Sequence, residues 1–297
     1  LAPALGMLAG GVAALGWGGA FSLPPWALRN LLLGALGAAL LNVASNAVNQ
    51  IFDIEVDRIN KPARPLPSGD LTIRDAWIVT VACYLAALAC AWLVNDLLLV
   101  IVAFTVLLTY GYSGPPFRTK RHWLLANVTI AIPRGFLLPL AGWPAIWGSP
   151  KLHAAGRSLP PDIWTFAAAS GLFVLGAAST KDFADLAGDR AGGCITLPLR
   201  FGVRNAVRVI VPFLVVPWLL LPVGVALGWL RGSPIVLAGG GALLTLAGLR
   251  TAWLLLRRPE ALTQSSTHPA WVLMYLTMVA SQAVFAVAYA LAPGAGP

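Results

Sequence analysis

The chain has 297 residues, of which 58% are hydrophobic and 10% are charged, and its mean hydropathy is +0.79. This composition excludes an ordinary water-soluble domain, whose surface needs more charge, and predicts a polytopic membrane protein. The net charge of +9 does not indicate nucleic-acid binding, because the cations lie in short loops between apolar segments rather than in a basic stripe. We therefore expect a lipid bilayer, and no nucleic acid, as the partner of its surface.

Apolar segments long enough to cross ~30 Å of hydrocarbon predict nine membrane-spanning helices. They cover residues 2–22, 25–54, 73–94, 96–112, 122–147, 162–182, 203–229, 233–256 and 269–292. Fifteen lysines and arginines flank the ends of the even-numbered spans, and only Arg29, Lys151, Arg157 and Arg231 lie on the opposite side. The positive-inside rule then predicts that the even-numbered spans end in the cytoplasm. We expect an all-α protein of the cytoplasmic membrane in which residues 1–297 form one transmembrane domain.

An unusually polar run, residues 46–69, directly follows the apolar part of the second predicted span. Asn49, Asp53 and Asp57 recur every four residues, which on a helix would form one polar ridge with steps of ~6 Å. A group of cations follows among prolines that cannot continue the helix; these cations are Arg58, Lys61 and Arg64. Taken alone, the run also fits a solvated loop after a membrane helix.

A second polar run, residues 181–198, repeats this pattern at the end of the sixth predicted span. Asp185 and Asp189 repeat the four-residue spacing, and Lys181 and Asp182 precede them. Four crossings separate the two runs, so their helices are predicted to be parallel and to end on the same face. This arrangement favours two four-helix halves plus a ninth helix around a central cavity, with a site where the halves face each other. Carboxylates near a membrane are costly, which favours a functional role for both runs.

Two further polar features lie between these runs. The loop that contains Tyr112, Lys120 and Arg121 fits an interfacial tyrosine belt with cytoplasmic anchors, but its location on the side of the polar runs also makes it a candidate cover for a site. Arg134 lies inside the fifth predicted span without an adjacent acid. It is expected either to line a polar cavity or to extend towards the membrane interface.

The combination of carboxylates and cations predicts a class of ligand. Oxygen-only clusters suit hard cations, and magnesium in particular binds through carboxylates together with substrate phosphate oxygens. Bound magnesium would reverse the local charge, and the loop cations would neutralise the remaining charge of a diphosphate. An apolar tail on that diphosphate could lie among the helices. The sequence therefore predicts a lipid diphosphate substrate.

The motifs N-x3-D-x3-D followed by R-x2-K-x2-R-P-L-P-S-G, and K-D-x2-D-x3-D-R-x2-G-x3-T-L-P, resemble the two signatures of the UbiA superfamily of intramembrane prenyltransferases. The second motif, with Gly188, Asp189 and Arg190, is more similar to that of archaeal and chlorophyll-synthase-like members than to the simplest bacterial pattern. Gln50 stands where the family often has an aspartate. The resemblance implies an all-helical enzyme that binds an isoprenyl diphosphate through two Mg²⁺ ions. It would transfer the prenyl group to an acceptor after the diphosphate departs and an allylic carbocation forms.

The resemblance also implies roles for individual residues. The candidate metal ligands are Asn49, Asp53, Asp57, Asp182, Asp185 and Asp189. The candidate diphosphate ligands are Arg58, Lys61, Arg64, Lys120, Arg121 and Lys181. Tyr112 joins Asp53, Asp57, Asp185 and Asp189 in the catalytic set.

The acceptor stays open between two kinds of molecule. An aromatic acid such as 4-hydroxybenzoate is preferred, and Arg134 would then bind its carboxylate. The alternative is transfer to a glycerol lipid, as in a digeranylgeranylglyceryl phosphate synthase. An ion transporter would not need two aspartate motifs followed by basic loops on one face, and the hydropathy disfavours a soluble prenyl-diphosphate synthase.

Overall fold

The computed structural model describes residues 2–18, 23–147, 159–264 and 268–292. Residues 19–22 of the first predicted span, and Lys151 and Arg157 of the predicted outer loop, lie outside these ranges. In chain order the α-helices are α1 (Ala2–Trp17), α2 (Pro25–Phe52), α3 (Ile54–Asn60), α4 (Pro65–Ser68), α5 (Ile73–Trp92), α6 (Asp96–Ser113), α7 (Trp123–Ala131), α8 (Leu138–Ile146), α9 (Pro161–Ala177), α10 (Leu186–Ala191), α11 (Leu197–Phe201), α12 (Val203–Ala226), α13 (Pro234–Arg257) and α14 (Pro269–Ala290). A π-helical turn, Ile132–Leu137, joins α7 to α8, and 3₁₀ turns cover Thr119–Arg121, Ala178–Phe183 and Pro259–Thr263.

Eight helical segments in the described residues are long and apolar enough to cross a membrane, as judged by length and composition. They are α2, α5, α6, the continuous segment Trp123–Ile146, the segment Pro161–Phe183, α12, α13 and α14. The prediction of an all-α polytopic membrane protein is therefore confirmed. Helix α1 has 16 described residues, short of the ~20 that a span needs, so the count of nine spans stays a prediction.

Small residues let the helices of the bundle approach closely. A Cβ atom on Gly10 of α1 would lie 1.9 Å from the carbonyl oxygen of Pro139, and one on Gly248 of α13 would lie 2.2 Å from that of Leu214. Large apolar side chains instead cover the outside of the bundle, as Ile235 and Leu107 do. This distribution suits a protein whose exterior contacts lipid, where close packing rather than hydrophobic burial holds helices together.

The membrane helices close into a ring. Helix α1 contacts both α2 and α14, and the ring continues from α2 through α6, α7, α9, α12 and α13 back to α14. A mostly apolar cavity of about 470 Å³ lies among α1, α2, α5, α6, α9 and α14, as the prediction of a central cavity requires. Its polar lining includes Asn42, Asn46, Arg134 and Gln282. The division into two four-helix halves stays a prediction.

Both aspartate motifs interrupt their helices, and this corrects the prediction of one continuous ridge through Asn49, Asp53 and Asp57. Helix α2 ends at Phe52, Asp53 has φ −114° and ψ 12°, and α3 begins at Ile54. Asp185 has nearly the same conformation, with φ −101° and ψ 11°, immediately before α10. Neither side chain caps the helix that follows; Asp53 and Asp185 pair instead with Lys120 and Lys61. In both motifs a new short helix therefore begins immediately after the aspartate at the break.

Candidate active site

The short helices that follow the two breaks, α3 and α10, contact each other directly. Asn60 donates from Nδ2 to the carbonyl oxygen of Asp185 at 3.0 Å, and its Oδ1 accepts from the backbone N–H of Gly188 at 3.0 Å. Lys61 Nζ lies 2.5 Å from Asp185 Oδ2. The prediction that the two motifs meet is confirmed. Asn60 was missed in the sequence, although it is a polar residue one position before the predicted Lys61.

The basic loop after α6 holds the first motif at its break. Lys120 forms an ion pair with Asp53, and both side chains are largely buried. Arg118 donates from Nη2 to the carbonyl oxygen of Phe52, the last residue of α2, at 3.0 Å. Burial lowers the pKa of Lys120, and the neighbouring charge of Asp53 partly opposes that shift. The loop therefore belongs to the site, and Arg118 is a contact that the sequence analysis did not select.

Asn49 connects the same break to the end of α6. Its Nδ2 donates to Asp53 Oδ2 at 2.8 Å and to the hydroxyl oxygen of Ser113 at 3.2 Å. Asp57, one turn into α3, is buried and accepts from Arg64 Nη1 at 2.7 Å. Thus all three polar residues of the first motif have partners at one end of the bundle.

Two of the predicted cations lie apart from the cluster that the paired residues of the two motifs form. Arg58 forms an exposed ion pair with Glu55 at 2.7 Å, three residues earlier on α3. The side chain of Arg121 is exposed, and its backbone carbonyl accepts from the N–H of Ile195 at 3.0 Å. The structure therefore does not place Arg58 or the guanidinium of Arg121 among the paired carboxylates.

The second motif brings a lysine and an aspartate to the end of α9. Lys181 donates from Nζ to the hydroxyl of Tyr112 at 3.1 Å, and its Nζ lies 5.3 Å from the centroid of the tyrosine ring. Asp182 is buried beside it in the 3₁₀ turn. These contacts join Tyr112 at the end of α6 to the second motif, as Asn49 joins Ser113 to the first.

The pKa of Asp189 reflects its burial and the negative charge of neighbouring motif aspartates. Burial and the charges of Asp185 and Asp53 raise the pKa of this carboxyl to about 7, although Lys181 and Lys61 oppose the rise. A raised pKa means that the carboxyl gains a proton more readily than in water as the pH falls. A bound cation would act in the opposite direction and favour the ionised form.

The donor set suits a magnesium ion in its chemistry. Carboxylate and amide oxygens are the protein ligands that magnesium prefers. However, no three aspartate, glutamate, histidine or cysteine side chains in the described ranges converge as a ready metal site. The carboxylates of Asp53, Asp57 and Asp185 are instead paired with Lys120, Arg64 and Lys61.

The central cavity approaches the motif residues on three segments of the chain. Asn46 of α2, Thr109 of α6 and Ala178 after α9 line the cavity, and each lies within four residues of a side chain in the cluster. Arg134 also lines the cavity, and its Nη2 donates to Asn46 Oδ1 at 3.4 Å. Of the two expectations for Arg134, the cavity position is the observed one. Asn46 was missed in the sequence, although an asparagine in an apolar span is itself a signal of a polar contact.

The fold and the site together define a multi-pass membrane protein with an acidic and basic cluster at one end of an apolar cavity. The sequence profile of the UbiA prenyltransferase family matches residues 4–279. The chain belongs to this family.

The relatives include aromatic prenyltransferases and digeranylgeranylglyceryl phosphate synthases. The chain is 36% identical over 200 residues to a homogentisate phytyltransferase of Synechocystis sp., which covers 65% of this chain and 62% of the relative. It is 33% identical to a digeranylgeranylglyceryl phosphate synthase of Methanopyrus kandleri, covering 64% and 65%. It is 30% identical to another such synthase from Thermococcus kodakarensis, covering 88% and 86%. The first two alignments thus span a little under two thirds of the relatives' length.

Solved structures show the same fold. A UbiA homologue from Archaeoglobus fulgidus, bound to DMAPP and Mg²⁺, superposes with a TM-score of 0.66 at 19% identity and covers 96% of both chains. An apo UbiA homologue from Aeropyrum pernix K1 gives a TM-score of 0.69 at 21% identity, covering 93% of this chain and 96% of the other.

Proposed function

We propose that the protein is a magnesium-dependent intramembrane prenyltransferase and that residues 1–297 act as one domain. The observation that carries this proposal is that two aspartate motifs and a basic loop meet where an apolar cavity ends. An isoprenyl diphosphate has the complementary form, with a charged head and an apolar tail. Its tail would lie in the cavity among the helices, and its head would lie at the cluster.

Two lysines that neutralise the motif carboxylates are also the proposed ligands of the diphosphate. Lys61 and Lys120 pair with Asp185 and Asp53, and we propose that they bind diphosphate oxygens when the donor and metal are present. We propose that Arg64 and Lys181 complete this set, whereas Arg58 and Arg121 lie apart from it. Such an exchange would keep the buried charges compensated, because the positive charge of a magnesium ion would replace that of the lysine beside each carboxylate.

Asn49, Asp53 and Asp57 would hold one Mg²⁺ ion, and the second motif, through Asp182, Asp185 and Asp189, would hold another. The homologue from Archaeoglobus fulgidus binds DMAPP and Mg²⁺ together, which supports magnesium here. The metal supplies positive charge that neutralises the diphosphate. Asn49 is already fixed by Asp53 and Ser113, so its orientation is set before any ligand arrives.

The proposed reaction breaks the bond between the allylic carbon and the diphosphate oxygen. The bonding electron pair leaves with the diphosphate, whose growing charge the lysines stabilise. The acceptor then attacks the electron-poor carbon and loses a proton. Tyr112, held by Lys181, would present its ring to the developing positive charge, and the apolar cavity wall would exclude water that could capture it.

Arg134 supports an aromatic acid, such as 4-hydroxybenzoate, as the acceptor. It lines the cavity with Asn46, and its guanidinium suits a carboxylate. Similarity to a homogentisate phytyltransferase supports the same choice. Transfer to a glycerol lipid is the second candidate, because the alignment with the Thermococcus kodakarensis synthase covers 88% of the chain.

The test is to incubate the purified protein with Mg²⁺, geranylgeranyl diphosphate and one acceptor at a time, and to identify products by mass spectrometry. We expect prenylated 4-hydroxybenzoate, and no product in excess chelator. A product from geranylgeranylglyceryl phosphate alone would replace the aromatic acceptor but retain the prenyltransferase. Asp53→Asn and Asp185→Asn should abolish turnover, whereas Asp96→Asn, at the opposite end of α6, should not. Full activity of both motif variants would refute the proposed site.

We also propose that the cluster faces the cytoplasm. The positive-inside bias supports this orientation, and the cations on the side of the cluster belong to the more basic set of loops.

A further inference from the structure

The outward face of α13 carries two arginines on one tryptophan. The Cζ atoms of Arg250 and Arg257 lie 4.4 Å and 5.0 Å from the centroid of the Trp253 ring. All three side chains are exposed. Neither arginine forms a salt bridge with a carboxylate in the described ranges, and the following acid, Glu260, pairs with Arg204 at 2.7 Å. Within the described residues, the face therefore presents two positive charges without a carboxylate partner.

This face is directed away from the bundle. Leu249 and Leu256, which share it, are 51% and 47% exposed, whereas Leu244 and Leu255 on the other side of α13 are buried. The exposed leucines mark a surface that would contact acyl chains. The arginines and the tryptophan therefore stand on the lipid-facing side of the helix and not in the site described above.

The depth of the cluster suits the boundary between lipid headgroups and hydrocarbon. Helix α13 ends at Arg257, and the Arg204–Glu260 ion pair ties the turn after it to the start of α12, on the same end as the aspartate motifs. Arg250 lies seven residues before Arg257, which corresponds to ~10 Å along the helix. Tryptophan is common at this boundary because its ring is apolar and its N–H is polar.

We propose that Arg250, Trp253 and Arg257 form a binding site for the phosphate of an anionic phospholipid such as phosphatidylglycerol. The indole ring fixes both planar guanidiniums by cation–π contacts and leaves their N–H edges free for phosphate oxygens. A guanidinium this close to hydrocarbon is costly unless an anion or water compensates it. The exposed leucines would pack on the acyl chains of the same lipid. This inference is independent of the proposed prenyl transfer.

A specific lipid-binding site can be distinguished from general attraction between basic loops and an anionic membrane. General attraction depends on the number of charges alone, whereas this site also depends on the indole ring that holds them. Trp253→Leu keeps both arginines and an apolar side chain but removes the ring. This variant therefore separates the two explanations.

The experiment is native mass spectrometry of the detergent-purified protein, titrated with phosphatidylglycerol or phosphatidylcholine. We expect the wild type to bind phosphatidylglycerol more tightly than phosphatidylcholine. Substituting Arg250→Gln and Arg257→Gln should weaken phosphatidylglycerol binding by about fivefold per arginine and should have little effect on phosphatidylcholine binding. Trp253→Leu should also weaken it severalfold, and the control Arg204→Gln should not. Equal binding of both lipids by the wild type, or unchanged phosphatidylglycerol binding by Trp253→Leu, would overturn the site. Displacement of the lipid by soluble glycerol phosphate at equal concentration would overturn the lipid as the ligand.

Discussion

Gly188→Ala is expected to damage the site by separating the two motif helices. A Cβ atom on Gly188 would lie 2.3 Å from Asn60 Nδ2, and ordinary contact begins near 3.4 Å. The shortfall is about 1 Å, and a misplacement of this size in an active site can cost about 100-fold in rate. If the Asn60 side chain instead turns away, its hydrogen bonds to Asp185 and Gly188 are lost. Each such bond contributes about 0.5–1.5 kcal/mol to stability.

The assay for Gly188→Ala is steady-state turnover at saturating Mg²⁺ together with thermal unfolding. The matched control is Gly239→Ala, because a Cβ there would have nothing within 4 Å. Alanine also favours a helix over glycine by about 1 kcal/mol, so helix propensity cannot explain a loss. In a double-mutant cycle, Asn60→Ala should remove most of the effect of Gly188→Ala, since it removes the atom that clashes. Additive losses, or wild-type turnover in Gly188→Ala, would refute the coupling between the motifs.

Three further outcomes are expected. Lys120→Gln should raise the Michaelis constant for the prenyl donor about 10- to 100-fold, because a hydrogen bond to a charged group contributes about 1.5–3 kcal/mol. An unchanged Michaelis constant for the donor would show that Lys120 has only a structural role. In a cysteine-free background, single cysteines at Ser68 and Arg190 should be labelled from one side of the membrane and a cysteine at Arg231 from the other; labelling of the first two from opposite sides would exclude a shared site. Tyr289→Phe should lower the free energy of unfolding by about 1–3 kcal/mol, because it removes one of the two hydrogen bonds to the buried Asp162 carboxylate. The control is Tyr275→Phe, at an exposed tyrosine. An equal loss of stability in the two variants would contradict a stabilising role of the Tyr289–Asp162 hydrogen bond.

The structure also changes how the topology should be probed. A cysteine at Gly192 would be a natural reporter for the second motif, but a Cβ there would lie 2.5 Å from Val56 of α3. Arg190, two residues earlier on α10, is exposed. The close approach of Gly192 to Val56 is a further contact between the two motifs, and the spacing of the aspartates in the sequence gives no sign of it.

Much of the architecture is determined by the sequence itself. Long apolar segments bounded by charge predict membrane helices because the cost of placing charge in hydrocarbon is local and depends on each segment alone. The prediction that both polar runs end on one face also follows from counting crossings, and the Lys61–Asp185 pair confirms it. The spacing and residue types of the two motifs sufficed to indicate the family.

The pairing within the site was decided only by the tertiary structure. Period and composition could not show that Lys120 pairs with Asp53, that Lys61 pairs with Asp185, or that Asn60 joins the two motifs. Each of these depends on which side chains a distant segment brings within about 3 Å, and hydrogen bonds and ion pairs are sensitive to that distance. A sequence records which charges are available near the end of a helix, but the fold selects the partner of each.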